Sequence, residues 1–251
     1  MKVHEFVEGK KPIMVLLHGV LTPWQIWMPQ INSWKENYNI YAIALSAHTE
    51  ECASEFLSLA DEADKITQIL LQRNIETIDV LCGISFGGKL AHEIWKEQKI
   101  KVRNLILDGA PLTSFPKIVT KVMIGNYLKI IHKSRIRDSK TLEAFKKQFL
   151  PEKYLEDYLK IADFMSDASM VNIVKAAGTG NLGTGVKSDT RILFLHGTKG
   201  NEVVSKKSAH LMQKHYPDTK IVCFKGDVHC QKAIYEPAKW IKIVEDFLEH
   251  S

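Results

Sequence analysis

Short apolar runs separated by longer amphipathic stretches organise this chain. Residues 13–17 (Ile-Met-Val-Leu-Leu), 40–45 and 78–82 are brief, rich in branched aliphatics and bounded by polar or glycine positions, so each predicts a buried strand. Residues 102–108, 191–195 and 220–224 predict three more. Elsewhere the apolar spacing becomes helical. A helix over 25–36 carries Trp27, Ile31 and Trp34 on one face with Trp24 just ahead of it. Residues 54–73 repeat Phe56, Leu59, Ala63, Ile66, Ile69 and Leu70 at helical intervals, and 88–97 and 238–249 predict two further helices. Strands alternating with helices predict an α/β fold with a mostly parallel central sheet covered on both faces.

The alternation stops between residues 112 and 189, where the pattern is helical throughout. The domain organisation expected is therefore a core of 1–111 and 190–251 with a helical lid, 112–189, inserted after the strand that ends at Asp108. Residues 178–185 are glycine-rich and contain a G-x-G-x-x-G string. It follows a helix and leads into a strand, the reverse of a dinucleotide-binding turn, and reads as a linker.

Composition narrows the function classes. The 251 residues carry 34 Lys and Arg against 29 Asp and Glu, a formal charge of +5 that is too mild to suggest nucleic acid. There is no apolar run long enough for a membrane span, and the first residues lack the apolar centre of a signal peptide. Cys52, Cys82, Cys223 and Cys230 show neither metal-ligand nor redox-pair spacing. Reduced thiols in a cytoplasmic protein, with no metal and no cofactor, are expected.

The candidate chemistry lies in Gly83-Ile84-Ser85-Phe86-Gly87-Gly88, directly after the 78–82 strand. A strand, a tight turn and a helix start place the Ser85 hydroxyl at an exposed apex, while the glycines let strand and helix approach closely. The N–H groups opening that helix favour developing negative charge. A serine nucleophile needs a base, a group to orient the base, and donors for the oxyanion. His229, in a loop after the 220–224 strand, is the base candidate, because ligands bind beyond the carboxyl ends of parallel strands. His18 and His196 each end a strand before a glycine and read as structural. The backbone N–H groups of Phe86 and Val20 are the expected oxyanion donors, with Leu21 the next candidate. Cys82 and Cys230 do not occupy a turn apex and read as inward-packing.

Together, Leu17-His18-Gly19 with a tryptophan-rich helix after it, the Gly83-x-Ser85-x-Gly87-Gly88 turn, the helical insertion and His229 near the end resemble the α/β-hydrolase superfamily over about residues 13–248. The resemblance implies hydrolysis of esters, thioesters, amides or activated C–C bonds. Ser85 argues against the epoxide-opening and dehalogenating relatives, which carry aspartate there. The chain departs from the family at two places. Only twelve residues precede the first apolar strand, so the sheet is expected to lack a strand or more. The acid is also open. Aligned on Val203-Val204 the family's aspartate position holds Asn201; aligned on His196-Gly197 it holds Gly200. Glu202 and Asp108 compete for the role, and Asn201 is a third, weaker candidate, since an Asp→Asn change in a serine protease costs about 10⁴ in turnover.

Residues 117–147 hold nine Lys and Arg against Asp138 and Glu143, interspersed with aliphatics. One reading is an apolar roof over the pocket with a basic outer face, suited to an anionic acyl substrate or an anionic membrane. An ordinary lid with a solvated charged face is preferred. The function expected is a serine hydrolase of small carboxylic esters or thioesters, acting through an acyl-enzyme at Ser85. A C–C bond hydrolase or lyase on the same scaffold, or a non-catalytic ligand-binding homologue, is the alternative.

Overall fold

The runs at 13–17, 40–45 and 78–82 become neighbouring strands at the centre of one sheet. The structure, a computed structural model, describes residues 1–251 apart from 181, 184, 250 and 251, and apart from the side chain of Gln148. Strand β1 (Lys2–Phe6) lies antiparallel to β3 (Asn39–Ala44), with Lys2 opposite Ala44 and Phe6 opposite Ile40. β2 (Ile13–Leu17) pairs in parallel with β3 on one side and β4 (Thr77–Ile84) on the other. β5 (Lys101–Asp108), β6 (Arg191–His196) and β7 (Lys220–Cys223) continue in parallel, giving the order β1-β3-β2-β4-β5-β6-β7. The middle strands are covered on both faces, which is why they read as continuous apolar runs.

Residues 2–6 supply one outer strand where a hairpin would supply two, so the seven-stranded sheet is short by one strand, within the expectation. Their mixed sequence, Lys-Val-His-Glu-Phe, reflects a half-buried edge, where an apolar run is not required. From β2 the chain steps out to β3, then returns past β2 to β4. The direction of winding thus reverses between β2 and β4, and the loops leaving these two strands flank a crevice at the carboxyl end of the sheet.

Two helix boundaries differ from expectation. The segment predicted as one helix over 25–36 is a 3₁₀ turn (Trp24–Trp27) followed by α1 (Met28–Trp34), because Pro29 fits only in a first helical turn. The helix predicted from residue 54 starts later, as α2 (Leu59–Leu71). Ser58 caps it, its Oγ accepting the Asp61 N–H at 3.1 Å. Residues 54–58 lie outside it, and the buried Phe56 donates its N–H to Ser169 Oγ at 3.0 Å.

Helix α3 (Phe86–Glu97) follows β4 and is buried along most of its length. Between β5 and β6 come α4 (Lys117–Arg135), α5 (Ser139–Gln148), a 3₁₀ turn (Glu152–Tyr154), α6 (Leu155–Phe164) and α7 (Asp167–Ala177). Of the glycine-rich 178–185 stretch, positions 181 and 184 lie outside the described residues. Buried Lys89 on α3 ties this helical segment down: its Nζ donates to the carbonyls of Pro111 and Ala177, each at 3.0 Å, and to that of Thr179. Burial lowers the Lys89 pKa to about 8. Helices α8 (Glu202–His215), α9 (Gln231–Tyr235) and α10 (Pro237–Glu249) complete the chain. No helix among the described residues is long and apolar enough to cross a membrane.

Candidate active site

Ser85 is the hinge between β4 and α3, with φ 53° and ψ −120°. This region costs a non-glycine residue of order 1–3 kcal/mol, so the surroundings must enforce it. They do so through the backbone: the Ser85 N–H donates to Asp108 O at 2.7 Å, and the Lys89 N–H donates to Ser85 O at 3.1 Å. The flanking glycines are required by contact. A Cβ on Gly83 would lie 2.2 Å from Gly87 O, and one on Gly87 would lie 2.3 Å from Leu17 O. Strand β2, the turn and α3 are thus packed backbone to backbone.

The loop after β7 carries His229 to this hinge. Its Nε2 lies 2.8 Å from Ser85 Oγ, across 144 residues of sequence. On the other side of the ring, Nδ1 contacts Glu202 Oε1. Glu202 is fully buried at the first position of α8, and its Oε2 accepts the Gly197 N–H at 2.8 Å. This N–H holds the second oxygen in place, so the side chain is anchored as it meets the ring. A carboxylate on Nδ1 holds the proton on that nitrogen, leaving Nε2 free to accept from the Ser85 hydroxyl.

Asp108 is placed otherwise. Its carboxylate Oδ2 accepts the Trp240 indole N–H at 2.9 Å, deep in the cluster where Trp240 packs with Trp27 and Trp34. Burial, and secondarily the nearby Glu202 charge, raises its pKa to about 8, so at neutral pH it is mainly an uncharged acid. Asn201 is exposed, one residue ahead of α8.

The backbone N–H groups expected as oxyanion donors differ in whether they are already engaged. Phe86 opens α3, so its N–H has no intrahelical acceptor. In the loop after β2, the Leu21 N–H is taken by His48 Nε2 at 3.1 Å, which removes Leu21 as a donor. Among the described residues, no acceptor takes the Val20 N–H.

That loop is held by two buried imidazoles, His18, read from the sequence as structural, and His48, whose part the sequence reading did not foresee. His18 Nδ1 donates to Gly19 O at 2.9 Å while its Nε2 accepts the Leu45 N–H at 3.1 Å. His48 Nδ1 donates to Ser46 O at 3.0 Å while its Nε2 accepts the Leu21 N–H. The rings lie 4.9 Å apart, and each bridges the loop after β2 to the loop after β3. Burial drives both pKa values down, that of His48 to about 4, so both stay neutral acceptors. His48 lies in a stretch without periodicity, and no local signal marks its partner 27 residues away.

Gly109 was also missed. It has φ +66°, and a Cβ there would lie 2.6 Å from His229 Cε1. Of the cysteines, Cys82 and Cys230 are buried as expected; Cys52 and Cys223 are exposed. A cavity of about 380 Å³ lies among α2, α3 and α7, lined by residues including Lys89, His92 and Leu112; Ser85 and His229 do not line it.

No protein-family model matches the sequence. The chain is 24% identical to a pimeloyl-(acyl-carrier protein) methyl ester esterase of Nitrosomonas europaea, over 92% of each chain. Among solved structures it superposes on an alpha/beta hydrolase family protein from Desulfitobacterium hafniense (TM-score 0.78, 22% identity, 98% of this chain and 100% of the other). It also superposes on a carboxylesterase of the thaumarchaeon Nitrososphaera gargenis (TM-score 0.75, 15% identity, 99% and 93%) and on MenH from S. aureus (TM-score 0.72, 18% identity, 99% and 97%). With its strand order, its strained serine turn and these superpositions, the chain has the α/β-hydrolase fold.

Proposed function

We propose that the protein is a serine hydrolase of small carboxylic esters or thioesters, working through an acyl-enzyme at Ser85. The observation that carries this reading is the continuous chain Ser85 Oγ–His229–Glu202, with Oγ and Nε2 2.8 Å apart. The esterase names of the Nitrosomonas relative and of the carboxylesterase neighbours support the substrate class. Ser85 Oγ attacks the substrate carbonyl as its proton passes to His229 Nε2. The Phe86 and Val20 N–H groups receive the oxyanion, where donors matter most. Collapse breaks the bond to the alcohol or thiol, which leaves with the proton from His229. Water then attacks the acyl group with His229 again as base, releasing the acid and restoring Ser85. Glu202 keeps the imidazole oriented and balances its transient charge. Residues 112–189 act as a cap that limits water and bounds the acyl portion.

The test is labelling with a fluorophosphonate followed by peptide mapping, together with hydrolysis of p-nitrophenyl esters and thioesters of graded acyl length. Labelling confined to Ser85 and lost in Ser85→Ala is expected, with turnover on at least one activated ester. Labelling without turnover on any ester, but with cleavage of a vinylogous diketone, would transfer the site to C–C bond hydrolysis. Neither labelling nor turnover would leave a binding protein.

A further inference from the structure

The aliphatic side chains at the start of α4, which the less favoured reading placed as a roof over the pocket, point outward. Ile118 is 68% exposed, Val122 56% and Val119 42%. Helical spacing stacks Lys117 beside Lys121 and Ile118 beside Val122, so cations and aliphatics interleave on one open face, with exposed Lys129 further along it. Helix α4 has no Asp or Glu in its 19 residues. Residues 117–147 carry nine Lys and Arg against two carboxylates, a balance of +7; set against +5 for the whole chain, the remainder sums to −2. The positive charge of the protein is therefore concentrated beside this apolar patch.

We propose that this face of α4 docks on an anionic lipid surface, Ile118, Val119 and Val122 entering the headgroup boundary while Lys117, Lys121 and Lys129 meet the acidic headgroups. The division of labour among the cations favours a membrane over an acidic protein. The arginines, whose planar fork suits bidentate carboxylate recognition, are engaged internally: Arg135 with Asp167 and the carbonyls of Ala162 and Met165, Arg137 with Asp163. The outward cations are lysines, which have no ion pair among the described residues and act as mobile point charges suited to a diffuse field. Helix α4 begins shortly after β5 ends, at the same end of the sheet as the Ser85 turn, so docking would present that end of the molecule to the lipid.

Flotation of the full chain with phosphatidylcholine vesicles, with and without phosphatidylserine, tests this independently of any esterase activity. Binding is expected only with phosphatidylserine and should weaken as salt rises. The combined Lys117→Gln/Lys121→Gln/Lys129→Gln variant should bind on the order of a hundredfold less, at about fivefold per lysine. Ile118→Ser/Val122→Ser should also bind less, with circular dichroism and thermal midpoint unchanged. Lys206→Gln/Lys207→Gln/Lys214→Gln, three lysines on α8, is the control that should retain most binding. Equal binding to neutral and anionic vesicles, or an equal loss in the α8 control, would overturn the proposal. So would capture of soluble polyglutamate by a protein that ignores vesicles, which would point to an acidic protein partner.

Discussion

Glu202 meets His229 from the first position of α8, while its second carboxylate oxygen is tied to the Gly197 N–H at 2.8 Å. The glutamate is thus fixed at both oxygens, and the histidine has one carboxylate on Nδ1 and one hydroxyl on Nε2. A side chain one methylene longer than aspartate reaches the ring from the start of a helix.

This arrangement separates the two acid candidates. Glu202→Gln should lower kcat by about 10²–10⁴, since a neutral amide neither fixes the tautomer nor balances the imidazolium. Asp108→Asn should keep kcat within a few-fold, because Trp240 can still donate to the amide oxygen. Steady-state kinetics on one activated ester decides; the opposite ranking would make Asp108 the functional acid.

Asp108 also imposes a pH dependence on stability. Its folded pKa is raised to about 8, above the ordinary carboxylate range. Between roughly pH 4 and 8 the folded state therefore holds a proton that the unfolded state has released, and stability falls as pH rises through that window. Asp108→Asn removes the effect. Thermal midpoints should show the variant gaining on the parent at pH 8 far more than at pH 5; a gain independent of pH would contradict the assignment.

In the proposed mechanism His48 positions the loop that carries Val20, because its Nε2 takes the Leu21 N–H. His48→Ala should reduce kcat about 10–100-fold with KM little changed, below the 10²–10³ lost when an oxyanion donor itself is removed. His48→Gln, which can still donate and accept, should recover part of the loss. Equal falls in kcat and thermal stability without rescue by Gln would mean that His48 serves packing alone.

The serine turn tolerates no Cβ at its crossing points. Gly87→Ala would place a carbon 2.3 Å from Leu17 O and 2.4 Å from His18 O, both backbone atoms of the central strand and its loop. A loss at or above the upper end of the usual overpacking range, about 3 kcal/mol, is expected in urea unfolding. A stable Gly87→Ala protein with full fluorophosphonate labelling would refute the close approach.

Much of this was legible in the one-dimensional pattern, for a reason visible in particular residues. The 13–17 run is β2 at the same bounds, and Ser85 and His229 were chosen because each signal is local: a glycine-flanked turn between strand and helix, and a histidine past a strand end. The edge strand at 2–6 escaped because half-buried edges need no apolar run. The late start of α2 escaped because Phe56, in phase with the helix, is buried outside it and bound to Ser169, 113 residues away.

The sequence by itself determined the alternation of strands and helices, the place of the helical segment and the two residues whose neighbours along the chain already dictate a sharp bend or a loop at a strand end. Only the tertiary structure placed Glu202 against the His229 ring and Asp108 under Trp240, joined the loops after β2 and β3 through His18 and His48, and turned Ile118 and Val122 outward. Each of these depends on which groups meet across a sheet edge or a loop crossing. Burial and partner, rather than local spacing, set whether a carboxyl meets an imidazole or is held as a neutral acid under an indole.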